Sequence, residues 1–424
     1  MLTPEIQAAF VGILNEELKM ATGCTEPIAL AYCAAKMRQI LGAEPEKIRA
    51  EVSGNILKNV KSVIVPNTGG LKGTKAAIAA GVVAGDADRE LQVISSVDKA
   101  RHPAIAAYSE NTPIEIVCPD TPHLLDIQLT GWAGEHWATV RIADHHNNIV
   151  YIEKDGKIQL EKALDDTTGN GEEADRSLLS LPNILAFANE VDLSLVKDLL
   201  ERQLRCNSAI AEEGLKNSWG ANIGSTLLQE YGDDIKFEAR AWAAAGSDAR
   251  MSGCEMPVVI VSGSGNQGIT ASMPVYRYAK HLGVSEEKMY RALIVSDLVT
   301  CYQKAGIGVL SAYCGAISAG VGAGAAIAYL QGADEKAIGH TIINAVAILS
   351  GTICDGAKPS CAAKIAESVD AGILGYKMYL SGNNFQPGDG IIGGDLHDTV
   401  VNVGVLAKEG MRGTDRTILK IMTQ

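Results

Sequence analysis

A chain of 424 residues that is 47% hydrophobic and 21% charged has a globular balance, enough for two or three domains, and is not a disordered chain. Its 37 Lys and Arg against 50 Asp and Glu leave a net charge of −13, which argues against a nucleic-acid binder, since phosphate contacts need clustered basic residues. Nine cysteines are too few for a disulfide scaffold in so long a chain, and the amino end lacks the basic-then-apolar order of a signal peptide. Free thiols in a cytoplasmic protein are expected.

Met1 to Lys19 reads as an amphipathic helix. A turn, Thr22-Gly23-Cys24-Thr25-Glu26-Pro27, leads into a second helix from about Pro27 to Leu41, with Thr25 as its N-cap and Pro27 in the first turn, where no N–H is needed. Strands are expected over 48–52, 60–65, 114–118, 124–129, 137–143 and 149–153, with an Ala-rich helix over 72–84 and a hairpin turn at Asp144–Asn148. Asp165 to Asp175 is acidic and turn-rich and reads as a linker. From Arg176 onward helical periodicity dominates, Ser285-Glu286-Glu287 marks a helix start, and no strand-rich block follows residue 180. The uncharged stretch from Ala305 to Ala333 is long enough to span a bilayer, but its many Gly and Ala, with Tyr313 and Ser318, predict buried helices and no membrane partner. The expected fold class is α+β. Helices fill residues 1–45, a small α/β domain with a largely antiparallel sheet fills 46–165, and a large all-helical domain fills 176–424.

Several familiar signatures fail. There is no Walker-type phosphate loop, no Cys-x-x-Cys, and no pair of histidines at i, i+4. Gly320-Val321-Gly322-Ala323-Gly324-Ala325 matches a dinucleotide-binding pattern loosely but lies in an Ala-rich helical run with no strand before it. Ser264 lacks the glycine at 262 that a nucleophile elbow requires.

Four features remain. Cys354 and Cys361 are seven residues apart across Asp-Gly and Lys-Pro, and with Cys314 they read either as soft metal ligands or as buried small hydrophobes. Cys24 precedes a helix start, where the partial positive charge favours a thiolate usable as base or nucleophile; the alternative is an inert cysteine in a capping loop. The loops Pro66–Gly73 and Ser262–Gly268 expose backbone N–H groups that suit a carboxylate or phosphate, or are simply tight turns. Gly388–Asp395 reads as a close-packed turn.

Together these segments resemble the L-cysteine desulfidase family, which is related to the catalytic chain of iron–sulfur L-serine dehydratases. The likeness covers nearly the whole chain. It rests on Gly23-Cys24-Thr25-Glu26-Pro27, Asn67-Thr68-Gly69-Gly70, Ser262-Gly263-Ser264-Gly265-Asn266-Gln267-Gly268, and Cys314 with Cys354-Asp-Gly-x-Lys-Pro-Ser-Cys361. The resemblance implies an oxygen-sensitive lyase with a [4Fe–4S] cluster held by Cys314, Cys354 and Cys361 in the helical domain, its fourth iron open to substrate. It makes Cys24 the catalytic proton acceptor, so that the first helices contribute to the active site. It puts the amino-acid carboxylate near Asn67, Thr68, Gly69 and Gly70 and near Ser262, Ser264, Asn266 and Gln267.

In the serine dehydratases the last two ligands are further apart, and some carry a carboxy-terminal cysteine that can occupy the open iron. This chain ends Ile421-Met422-Thr423-Gln424, so the desulfidase branch fits better. The expected reaction is α,β-elimination of L-cysteine to sulfide, ammonia and pyruvate. L-serine dehydration on the same cluster and non-catalytic amino-acid binding are the alternatives. A pyridoxal-phosphate enzyme, suggested by Ser264-Gly265-Asn266, lacks a lysine motif upstream of that loop. The partner is a small amino acid, L-cysteine or L-serine, and a homodimer is the oligomer to be considered.

Overall fold

Alternation in the first third of the chain builds one six-stranded sheet. In this computed structural model, which describes residues 2–119, 121–164, 174–232, 234–308 and 311–423, a short β1 (Met20–Thr22) precedes the sheet strands β2 (Lys47–Val52), β3 (Ile114–Val117), β4 (Asp126–Ala133), β5 (His136–Ala143), β6 (Ile149–Lys154) and β7 (Lys157–Glu161). The order is β3-β2-β4-β5-β6-β7, and only β2 and β3 run parallel. Ile48, Ala50 and Val52 alternate inward with Ile127, Leu129, Val140 and Ile142, so one face of the sheet is buried.

The Thr25–Leu41 helix covers that face. Its Met37 passes so close to β4 that a Cβ on Gly131 would lie 2.3 Å from the Met37 sulfur. Cys33 donates to the Val140 carbonyl at 3.3 Å and is core. The same segment also reaches the helical body. β1 pairs antiparallel with β8 (Pro257–Val259), and Phe10 of the Pro4–Glu17 helix meets Phe187 edge-on at 5.4 Å.

Two local expectations are corrected. Residues 60–65 are not a strand: the Gly54–Val60 helix occupies the first position, and a turn follows whose only ladder contact is the bridge between Ile64 and Lys72. The apolar run there is interior filling, with Val60, Val63 and Val65 all fully buried. The N-cap of the Thr25–Leu41 helix is Cys24, and Thr25 is already its first helical residue. Most of the expected 165–175 linker lies outside the described residues; Asp175 caps a short turn at Arg176–Leu178.

From Leu181 on, the chain is helical apart from β8 among the described residues. Ser285 caps the Glu286–Ile307 helix by accepting from the Lys288 N–H at 3.2 Å. At the centre lies the Gly315–Leu330 helix, buried along almost all of its length. Its glycines are contact points between backbones. A Cβ on Gly324 would lie 2.5 Å from the Gly372 Cα, one on Gly320 would lie 2.4 Å from the Ser368 backbone, and one on Gly322 would lie 2.5 Å from the Ser296 carbonyl. The dinucleotide-like pattern is therefore a helix-packing seam. No helix among the described residues is long and apolar enough to cross a membrane.

Because backbone cannot yield as a side chain can, Gly324→Ala is expected to lower stability by about 1–3 kcal/mol. Gly413→Ala, where an added Cβ meets nothing within 4 Å, should be neutral or slightly stabilising. Thermal melting of the two variants side by side checks this; equal melting temperatures would refute the seam.

Candidate active site

Four helices begin around one cavity of about 100 Å³. The Thr25–Leu41 helix presents Cys24 and Glu26, and the Gly265–Leu282 helix presents Ser264, Asn266 and Gln267. The Gly315–Leu330 helix presents its N-cap Cys314, and the Ser360–Leu380 helix presents Cys361 in its first turn. Asn55 and Asn59, Arg250, Lys304, Tyr313 and Cys354 complete most of the wall. Each helix start leaves backbone N–H groups without intrahelical partners and carries partial positive charge.

Cys24 and Glu26 are coupled. The Cys24 thiol donates to Glu26 Oε2 at 3.0 Å, the Thr25 hydroxyl donates to the same oxygen at 3.1 Å, and Asn59 Nδ2 donates to Oε1 at 2.9 Å. Burial opposes ionisation of Glu26. The nearby His146, the Cys24 hydrogen bond, its own helix start and Arg250 outweigh it, and the carboxyl stays below its ordinary value. Burial and then the Glu26 charge push the Cys24 thiol well up. Of the two readings of Cys24, burial and the carboxylate at 3.0 Å favour the thiol over the thiolate that helix position alone would suggest.

The other three cysteines are held by a small framework. A bridge between Tyr313 and Ile353 sets two loops side by side, with Cys354 N–H donating to the Ala312 carbonyl at 2.7 Å and Cys314 N–H to that of Thr352 at 3.1 Å. Lys58, buried on the Gly54–Val60 helix, donates to the Cys354 carbonyl at 3.2 Å and pairs with Asp415, which accepts from the Ala312 N–H at 3.0 Å. Gly356 has φ +97°, and a Cβ there would lie 2.7 Å from the Lys58 carbonyl, so only glycine lets the loop pass. A hydrogen bond from the Cys314 thiol, followed by the Lys58 charge, outweighs burial and pulls Cys354 down to about 6, while Cys314 is pushed well up by the same bond. Burial raises Cys361.

The two polar loops behave differently. Ser264, Asn266 and Gln267 reach the cavity, whereas the Ser262 N–H, at φ +47°, is spent on Glu17 Oε2 at 2.7 Å. Asn67, Thr68, Gly69 and Gly70 do not line the cavity. Asn67 donates to the Ile94 carbonyl at 3.0 Å, Thr68 to the Val65 carbonyl at 2.6 Å, and Gly69 lies against His102. Their loop supports the site from behind: Pro66 packs so closely on Gly23 that a Cβ there would lie 2.4 Å from the proline ring. Sequence reasoning gave no role to Glu26, Asn55, Asn59, Arg250 or Lys304. No sequence signal marks them: Arg250 stands in the last turn of the Ile235–Met251 helix, where a basic residue is ordinary.

Among the described residues no three of His, Cys, Asp or Glu converge on a single ion. An iron–sulfur cluster asks for something else, soft thiolates distributed around a cavity, each on its own iron. Cys314, Cys354 and Cys361 face one cavity from three separate segments, among helix starts that favour anions, and this donor set fits a cluster. In metal-free protein, iodoacetamide should label Cys354 first of the three near neutral pH. The rate should fall as pH drops through about 6, where the thiolate is lost. Peptide mass spectrometry reads the order, and labelling that sets in only above pH 8 would refute the Cys314–Cys354 pairing.

Comparison with known proteins gives the family. The family model for the serine dehydratase alpha chain matches residues 75–420. A UPF0597 protein of Desulfitobacterium hafniense is 54% identical over 97% of this chain and 96% of its own. Others from Lachnoclostridium phytofermentans and Treponema denticola are 48% and 43% identical, each over 97% of this chain and over 98% and 97% of their own. The protein belongs to the serine dehydratase alpha-chain family and is a relative of the UPF0597 proteins.

Proposed function

We propose that the protein is an iron–sulfur-dependent lyase that performs α,β-elimination on L-cysteine. The products are sulfide and aminoacrylate, and the latter hydrolyses to pyruvate and ammonia. The observation that carries this reading is the placement of Cys24 with Cys314, Cys354 and Cys361 on the wall of one cavity. Membership of a serine-dehydratase-like family supports the elimination class.

A [4Fe–4S] cluster, held by Cys314, Cys354 and Cys361, supplies a thiophilic Lewis acid for the leaving sulfur when bound. The chain's own residues handle the proton. Glu26, a carboxylate 3.0 Å away, holds the Cys24 sulfur in place, and Cys24, having lost its own proton before substrate binds, takes the α-proton as a thiolate. The Cα–H electrons become the Cα–Cβ double bond and the Cβ–S electrons leave with sulfide. Asn59, donating to the other Glu26 oxygen, keeps the carboxylate turned toward Cys24. Burial of Cys24 and Glu26 excludes competing water.

Anaerobically purified, iron-reconstituted protein should form pyruvate from L-cysteine faster than from L-serine and lose that activity in air. A faster serine rate would make it a serine dehydratase, and no pyruvate from either, with the cluster complete, would return it to an amino-acid-binding role. Cys24→Ala should keep the cluster's visible absorbance and lose about 10²–10⁴ in kcat. Undiminished turnover in that variant would reject Cys24 as the base.

A further inference from the structure

Arg250 is a buried cation that nothing in the described structure neutralises by contact. It is 2% exposed. Its Nη1 donates to Asn266 Oδ1 at 3.0 Å, while Nε and Nη2 are buried and have no hydrogen-bond partner. Among the described residues no carboxylate lies within ion-pair distance of it. Glu26, which feels its charge, has both oxygens engaged by Cys24, Thr25 and Asn59. Space has been cleared for this guanidinium: a Cβ on Gly265 would lie 2.4 Å from Arg250 Nε and 2.8 Å from its central carbon. A guanidinium that lines the cavity and keeps two unpartnered donors matches a planar carboxylate.

The same cavity holds the complementary set. Asn55 Oδ1, Asn59 Oδ1 and Gln267 Oε1 are buried acceptors without partners. The orientation of Asn59 is fixed, because its amide nitrogen must face the Glu26 carboxylate, which can only accept. The Gln267 amide packs against Gly315, where a Cβ would lie 2.6 Å from its nitrogen and 3.0 Å from its oxygen. Unpaired amide oxygens suit an ammonium group.

We propose that Arg250 binds the carboxylate, and Asn55, Asn59 and Gln267 the ammonium group, of a free α-amino acid. The inference deepens the lyase reading and rests on it for the choice of substrate. It moves the carboxylate away from the Asn67–Gly70 loop and onto a side chain seated against Gly265.

The test is calorimetric binding to the anaerobically reconstituted protein, using L-alanine, which has no β-leaving group, together with L-alaninamide and propionate. Wild type should prefer L-alanine to L-alaninamide. Arg250→Gln should weaken L-alanine at least ~30-fold and erase that preference. Arg250→Lys should fall between, because it keeps the charge and loses the fork. Asn55→Ala should reduce the preference for L-alanine over propionate while leaving propionate binding unchanged. Melting temperatures of the variants show that each is folded. Wild-type failure to bind L-alanine, or unchanged selectivity in both folded Arg250 variants, would overturn the anchor. Unchanged selectivity in Asn55→Ala would overturn the ammonium half. Arg250-dependent binding without pyruvate from L-cysteine would leave the anchor standing and sink the lyase reading instead.

Discussion

The site depends on four helix starts being brought to one cavity. Each contributes open N–H donors and a fraction of a positive charge. Arg250 adds a full buried cation, and Lys304, pushed down to about 8 by burial against the opposing charge of Cys354, adds another for much of the neutral range. In a chain of net charge −13 these buried cations offset the negative groups beside them. Anions are what the cavity can hold: an ionised Glu26, a Cys354 thiolate, a substrate carboxylate. The glycine seams serve the same end. Backbone contact at Gly320, Gly322 and Gly324 brings neighbouring helices close to the Gly315–Leu330 helix, so that Cys314 at its start sits near Cys354 and Cys361.

Parts far apart in sequence meet at this point, and each holds another in place. Lys58 comes from the segment that follows β2, and Asp415 from the Met411–Thr423 helix. Together they tie down the loops of Cys314 and Cys354 through a carbonyl and an N–H. Pro66 presses on Gly23, fixing the turn that ends in Cys24. β1, just before Cys24, pairs with β8, just before the Ser262–Gly268 loop, so Cys24 and the polar loop share one two-stranded support. Loss of one clamp therefore displaces chemistry on another element.

Much of the fold was legible because it is written in local periodicity. The alternation of 48–52 and 137–143 and the Ser285-Glu286 start needed no tertiary information. Val60 to Val65 misled because buried valines fill a turn as readily as a strand, and burial there comes from neighbours distant in sequence. The cysteines were legible as a set through their spacing and through likeness to a family. Arg250 was not, since its meaning lies in what faces it: Asn266, Gly265, and two donors with nothing to bind. The Asn67–Gly70 loop shows the converse, a conspicuous polar motif whose side chains hydrogen-bond to nearby carbonyls.

The protonation of Cys24 was illegible for a related reason. Helix position argues for a thiolate, and as a rule about an isolated helix end it is sound. Inside this protein burial and a carboxylate at 3.0 Å act against it and win. Cys354, meanwhile, receives a hydrogen bond from a second thiol and the field of Lys58, and ionises near pH 6. The chain thus assigns opposite resting states to two thiols on one cavity wall. A thiol gives up its proton when it binds a metal, and a cysteine already ionised has none to lose. The Glu26 carboxylate accepts the Cys24 hydrogen bond and, with burial, holds that sulfur in its protonated state.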